Sequence, residues 1–294
     1  MVLSEVQEAR TLTGLREVPR IEALTLGDVE GGLALSDAAG WNQTADDWAL
    51  FIQHGRALGC RDAAGGLVAT AAALPYGAEA GWISMVLVAE GWRHRGLASA
   101  LMRECLAHLQ AAGALPLLDA TPAGAAVYRS LGFASGFGFE RWQSSGQGDV
   151  AIAAEPPRLA DASDIDRIAS LDRSATGLDR RFLLESFLFR AGTRAWLSAD
   201  TRGFVIAREG RRATQIGPLV ASGAGQAIVL LGAALAASKQ PVFLDVPTSR
   251  REIAAWLERQ GFHRQRPFFR MSLGAAHPPV VGERSFALAG PEFG

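Results

Sequence analysis

VLVAEGWRHRGLASAL, Val86 to Leu101, is the stretch that decides how this chain is read. An aliphatic run, Val86-Leu87-Val88, ends in a short turn containing Gly91. Arg93-His94-Arg95-Gly96-Leu97-Ala98-Ser99 then leads into a helix. In that helix Leu97, Leu101, Cys105 and Leu109 recur every four residues, Met102 and Leu106 widen the stripe, and Gly113 is a natural stop. The first turn of a helix presents unpaired N–H groups and the positive end of the macrodipole. Where a buried strand hands over to such a turn, a diphosphate has a ready site. Gly96 and Ala98 are small enough for close approach, and Arg93 and Arg95 supply charge-assisted hydrogen bonds.

Strands and helices alternate on both sides of this stretch. Upstream, a short strand is expected from Ile21, a helix from Asp28 to about Ala38, and a second helix capped by Thr44, with Asp46 and Asp47 in its first turn. Strands are expected near 56–62, 67–74 and 82–88. Downstream come a strand over 115–119, a helix over 122–131 and one or two closing strands over 133–142. This order argues for an α/β (α+β) fold, a mixed central sheet flanked by helices.

The second half of the chain repeats the first. AAVYRSLGF (Ala125 to Phe133) aligns without gaps with AAWLERQGF (Ala254 to Phe262), and PLLDATP (Pro116 to Pro122) resembles PVFLDVP (Pro241 to Pro247). A repeat this long implies a duplicated domain rather than a solenoid. The expected layout is a tail over 1–18, a first domain over 19–145, a linker over 146–157 with Pro156-Pro157, a second domain over 158–275 and a tail over 276–294.

Composition excludes several classes. The net charge of -1 draws the chain to neither nucleic acid nor an anionic membrane, and no basic stripe with interleaved aromatics stands out. The N-terminus lacks a signal-peptide pattern, and the apolar stretch 224–237 is too short to span a bilayer. Cys60 and Cys105 have no metal-ligand spacing and read as free thiols. The expectation is a cytoplasmic protein with no metal; a monomer is favoured over a homodimer.

At Arg93, Gly96 and Ala98 the chain resembles the GNAT N-acetyltransferase superfamily, whose pattern is Arg/Gln-x-x-Gly-x-Gly/Ala after a strand ending in Val. Glu90 stands where the family often has proline. TGLDRR (Thr176 to Arg181), IGPLVA (Ile216 to Ala221) and LDVP (Leu244 to Pro247) resemble a tandem-GNAT subgroup whose C-terminal half is a degenerate copy. The resemblance implies acetyl-CoA as co-substrate, its diphosphate at Arg93 to Ser99 and its pantetheine arm along Val86, Leu87 and Val88. It implies transfer of acetyl to a primary amine of a small metabolite, amino acid or peptide, with Tyr128 protonating the leaving thiolate. The other readings are a packed amphipathic residue for Tyr128 and a non-catalytic acyl-CoA sensor for the chain. Ala123-Gly124 replace a cofactor-binding Asn common in relatives.

The general base stays open. Many relatives keep a Glu on the strand before the phosphate turn, but Trp82 to Val88 holds no carboxylate. Asp119 is either the substitute or a structural turn residue, and a water chain is the alternative. Trp41, Asn42 and Gln43, between the first two helices, and Ser84 are placed in the acceptor pocket, although Trp41 reads equally as core. Asp179 and Asp245 either meet a cationic amine across the domain interface or serve as an N-cap and a turn residue. The second half has no arginine after Val220-Ala221 and has Leu257 at the position of Tyr128, so it is expected not to bind the cofactor.

Overall fold

The computed structural model describes residues 19–144, 156–238, 241–275, 277 and 280–294. The expected N-terminal tail, and the expected linker apart from Pro156 and Pro157, lie outside the described residues. The first half runs β1 (Ile21–Ala23), α1 (Val29–Ala38), α2 (Ala45–His54), β2 (Arg56–Arg61), β3 (Leu67–Tyr76), β4 (Ala80–Val88), α3 (Leu97–Ala111), β5 (Leu115–Ala120), α4 (Pro122–Ser130) and β6 (Ala134–Ser144). The second half repeats it with β7 (Arg158–Leu159), α5 (Ile165–Thr176), α6 (Arg181–Leu188), β8 (Arg194–Leu197), β9 (Phe204–Arg208), β10 (Thr214–Val220), α7 (Ala224–Ala236), β11 (Val242–Pro247), α8 (Arg251–Arg259) and β12 (His263–Ser272). A further strand, β13 (Ser285–Ala287), follows.

Local chemistry sets the element starts. Thr44 accepts from the Asp47 amide, and Asp47 accepts in return from the Thr44 amide at 2.8 Å, so both orphan donors are satisfied where α2 begins. Thr121 caps α4, with Pro122 pre-set for its first turn. In α3 the predicted stripe is the buried one: Leu97, Leu101, Met102, Cys105 and Leu109 all face the sheet.

Among the described residues, all thirteen strands join one sheet, in the order β1-β2-β3-β4-β5-β12-β6-β11-β10-β9-β8-β7, with β13 beside β10. The two halves have exchanged their last strands. β12 lies antiparallel between β5 and β6, with Arg270 opposite Asp119. β6 in turn runs antiparallel to β11 from Phe139↔Pro247 to Ser144↔Val242. The first and second halves are therefore not separable compact units, because each completes the other's sheet.

The core follows suit. One buried cluster joins Trp48, Phe51, Tyr76 and Trp82 of the first half to Leu183, Phe187, Phe204 and Ile206 of the second. Polar ties cross the same boundary. The Asn42 side-chain oxygen accepts from the amides of Arg212 (2.9 Å) and Ala213 (3.0 Å), and its NH2 donates to Ala213 O at 3.1 Å. Arg211 forks onto Asp37, and Arg190 pairs with Asp47.

The expected C-terminal tail is corrected. Ser285 to Gly290 are buried, as are Phe293 and Gly294. Phe293 stacks on Phe51 at 5.1 Å and meets Phe187 edge-on at 5.2 Å. Tyr76 Oη donates to Phe293 O at 2.8 Å, and Trp82 Nε1 donates to Pro291 O at 3.0 Å. An apolar SFALA run followed by a Phe anchor buries too much surface to remain a tail.

Candidate active site

β4 and β5 are parallel partners only from Ala80↔Leu115 to Trp82↔Leu117. Beyond that point β4 and β5 no longer pair, and the edge of β4 from Ile83 to Val88 that does not meet β3 faces a gap. A bulge adds to the opening. Register shifts between Thr70↔Leu87 and Ala72↔Ser84, so Met85 and Val86 share Ala71 as their counterpart on β3. Met85 sits at φ 54°, a conformation rare outside glycine, and Thr70 Oγ1 donates to its carbonyl at 2.8 Å to hold it.

The phosphate turn opens from the end of this edge. His94 and Gly96 adopt positive φ (61° and 78°), and Gly96 is the N-cap of α3 with no side chain closing the helix end. The first intrahelical bond is Ala100 N to Gly96 O, so the amides of Leu97, Ala98 and Ser99 have no partner within the helix. A Cβ added at Gly91 or Gly96 would meet nothing within 4 Å. The cradle is open and lined by donors, which fits a diphosphate. Leu97 contributes only its amide, because its side chain is core. Arg95 lies over the Trp92 ring at 4.6 Å and donates to Gly91 O, while Arg93 donates to Val88 O at 3.4 Å.

The gap runs into a cavity of about 250 Å³. It gathers Trp41, Gln43, Ser84, Val86, Asp119 and Tyr128 of the sequence-derived set. Asn42 also lines it, but its amide is committed to the 212–213 backbone. Trp41 both lines the cavity and packs on the inter-half core. The Gln43 side-chain oxygen and the Ser84 hydroxyl are buried without a hydrogen-bond partner. Leaving such atoms dry costs about 1–3 kcal/mol each, so they are set for a ligand. Burial raises the Tyr128 pKa to about 12, with a smaller push from Cys105, which keeps the phenol protonated at neutral pH.

Asp119 lies within β5, next to its last residue, rather than in a turn. Both its oxygens accept from Arg270, at 3.0 and 2.9 Å. Burial pushes it up to about 6 while Arg270 pulls the other way.

Two acidic residues read as acceptor contacts are placed elsewhere. Asp245 is wholly buried on β11, not in a turn, and does not line the cavity. It takes a bidentate bond from Arg141 (2.9 and 2.8 Å) and a third from Gln215 at 3.0 Å. It therefore orients Arg141, which does line the cavity. Asp179 is exposed outside the cavity, 3.6 Å from Arg173, and Arg180 takes the N-cap position of α6. In both cases a carboxylate in isolation said nothing about the arginine that claims it.

The residue that sequence reasoning missed is Glu292. It lines the cavity from the C-terminal segment, with Oε1 3.5 Å from Arg208 Nη2. Burial raises its pKa, opposed by Arg208 and Arg141. Gly290, at φ 127°, makes room for it: a Cβ there would stand 2.7 Å from Glu292 Oε1. The only sequence signal was a Gly-Pro-Glu-Phe turn after an apolar run.

The second half has the same gap, but filled. β10 and β11 pair in parallel only from Thr214↔Val242 to Ile216↔Leu244. Beyond that point β13 lies against β10 (Leu219↔Ala287), and Leu288 N donates to Asp245 O at 2.8 Å. Gly217 permits the approach, since a Cβ there would fall 1.9 Å from Leu288 O.

Against known proteins, two family models match, both described as acetyltransferase (GNAT) domains, one over residues 53–135 and the other over 168–287. The chain belongs to the GNAT acetyltransferase family, as a tandem of two such domains. A proposed acetyltransferase of Pyrococcus horikoshii superposes with a TM-score of 0.78 at 19% identity, over 94% of this chain and 95% of that one. The tandem GNAT protein from the clavulanic acid biosynthesis pathway gives 0.61 at 15%, over 88% and 100%. A GCN5-related N-acetyltransferase from Kribbella flavida gives 0.56 at 22%, over 87% and 71%. At these identities the likeness is one of fold. A search of curated proteins finds no match. Among the described residues, no helix is long and apolar enough to cross a membrane and no group of His, Cys, Asp or Glu could hold a metal ion.

Proposed function

We propose that the chain transfers acetyl from acetyl-CoA to the amine of a small acceptor held in this cavity. One observation carries the reading: the cavity sets the bare β4 edge beside a protonated phenol and a buried carboxylate, and the same strand runs on to the open N-terminus of α3. The amides of 97–99 with Arg93 and Arg95 would hold the diphosphate, and the edge from Val86 to Val88 the pantetheine arm. Bound there, acetyl-CoA supplies an acyl group activated as a thioester.

Glu292 suits the base. A carboxylate raised by burial accepts the ammonium proton more readily than a solvated one. The Gln43 oxygen and the Ser84 hydroxyl accept hydrogen bonds from the amine and aim its lone pair. A β4 amide stabilises the developing oxyanion. Tyr128 gives its proton to the departing sulfur and is reprotonated through solvent. Asp119, tied at both oxygens to Arg270, holds the floor of the cavity. The second half does not bind the cofactor in this reading: β13 pairs the strand edge that the arm would need, and Leu257 offers no proton.

The test is acetyl-CoA-dependent thiol release across amines, amino acids and peptides, with Tyr128→Phe beside the natural protein. Turnover that falls in Y128F while acetyl-CoA affinity holds supports catalysis. Binding without thiol release from any acceptor would leave a sensor instead.

A further inference from the structure

The cavity and the ion pairs around it set five arginines (Arg141, Arg190, Arg208, Arg266 and Arg270) against four carboxylates (Asp47, Asp119, Asp245 and Glu292). Arg141 is matched by Asp245, and Asp119 by Arg270. Glu292 and Asp47 are shared by Arg208 and Arg190. Arg266, on β12, is left over: no carboxylate among the described residues pairs with it, and its Nε is buried without a partner. It is also the cross-strand neighbour of Arg141 on β6. Like charges in that position repel unless an anion lies between them. Only one of the two guanidiniums has its anion inside the protein. Burial and then Arg141 act against the charge on Arg266, and Asp245 and Glu292 offset this only in part. The other end of the cavity has the opposite demand: the Gln43 oxygen and the Ser84 hydroxyl are buried acceptors with no donor, and they share the cavity with the Glu292 carboxylate.

From this two-ended polarity we infer that the acceptor is a small zwitterion, an amine bearing an anionic carboxylate that docks on Arg266 beside Arg141 while its ammonium faces Glu292. Guanidinium forks match a carboxylate in both charge and geometry. The cavity volume of about 250 Å³ suits an amino acid rather than a folded protein surface. The inference rests on the acetyl-transfer reading above, but its test separates the two.

The experiment compares α-, β- and ω-amino acids with their neutral amides, their decarboxylated amines and their aminophosphonate analogues, using thiol release from acetyl-CoA. Amino acids are expected to exceed the matched amides and plain amines about 10- to 100-fold in kcat/KM. Arg266→Gln should erase that margin, mainly through KM, with acetyl-CoA affinity by calorimetry confirming a folded cradle. Arg266→Lys should restore part of it. Aminophosphonates preferred over carboxylates would keep the anion site and change its ligand to a phosphate-like group. Neutral amines acetylated as well as the acids, or a margin that survives Arg266→Gln, would overturn the zwitterion while leaving acetyl transfer intact. No transfer to any amine would remove both.

Discussion

The Arg270–Asp119 pair gives the most quantitative handle on the site. Asp119 has a folded pKa of about 6 against an ordinary 3.8. Between those values the folded state holds a proton that the unfolded chain has lost, so stability falls as pH rises through that window. The displacement corresponds to about 3 kcal/mol. Arg270→Met removes the group that lowers this pKa and leaves a carboxylate with no counter-ion. Its pKa then moves above 6, and the loss extends to neutral pH and beyond. Breaking a buried pair from one side costs about 3–5 kcal/mol when the survivor must stay charged. Arg270 also lies over the rings of Trp82 (4.5 Å) and Phe137 (4.9 Å), a packing loss that does not depend on pH. Urea unfolding from pH 5 to 8 should therefore show R270M penalised far more at pH 8 than at pH 5. The double variant Arg270→Met/Asp119→Asn should recover most of the pH 8 deficit. An equal penalty at both pH values, or no recovery in the double variant, would mean that Asp119 does not carry the charge assigned to it.

Further outcomes follow from the same geometry. Glu292→Gln should lower kcat/KM about 10²- to 10⁴-fold and flatten the acid limb of the pH–rate profile, as expected when a general base is lost; an unchanged limb would assign that limb to another group. Tyr128→Phe should cost about 10²-fold or more in kcat with calorimetric acetyl-CoA affinity preserved. Gly96→Ala, at φ 78°, should strain the turn by about 1 kcal/mol and weaken acetyl-CoA binding about tenfold, read by calorimetry. Asn42→Ala should destabilise the chain by about 2–4 kcal/mol in urea, since it strips the buried amide and carbonyl of Ala213 and the half-buried amide of Arg212 of their partner at the boundary between halves.

What the sequence made legible was local. The phosphate turn showed because a strand end, a glycine and an amphipathic stripe lie within sixteen consecutive residues, Val86 to Leu101. Thr44 and Asp47 announced α2 because a capping box spans only four consecutive positions. β12 was not legible: HRQRPFFRMS has charges at its start and Pro267 in its middle, so it shows no clean alternation. Nor did pattern reveal that β12 pairs with β5 and β6 with β11, because the alternation along a strand fixes which face is buried and not which strand lies beside it. Glu292 was hidden for the same reason. Its placement depends on Phe293 docking among residues more than a hundred positions away, Phe51 and Phe187.

The strand exchange also bears on why a second domain is present. A duplicated gap needs something to pair its bare edge. In the second half β13 does so, and the chain then continues directly to Pro291 and Glu292 in the first half's cavity. The strand that closes one gap thus supplies the carboxylate of the other. β12 brings Arg266 and Phe268 to the same cavity and holds Asp119 through Arg270, while β11 supplies the Asp245 that fixes Arg141. Four elements of the second half shape the cavity beside the first half's open gap: β9 through Arg208, β11, β12 and the C-terminal segment. A first half expressed alone would expose both edges of β6 and lose the last partner of β5, so its cavity would lack a wall even if its phosphate turn still formed. The second half thus contributes walls, counter-ions and one carboxylate to the cavity beside the first half's gap.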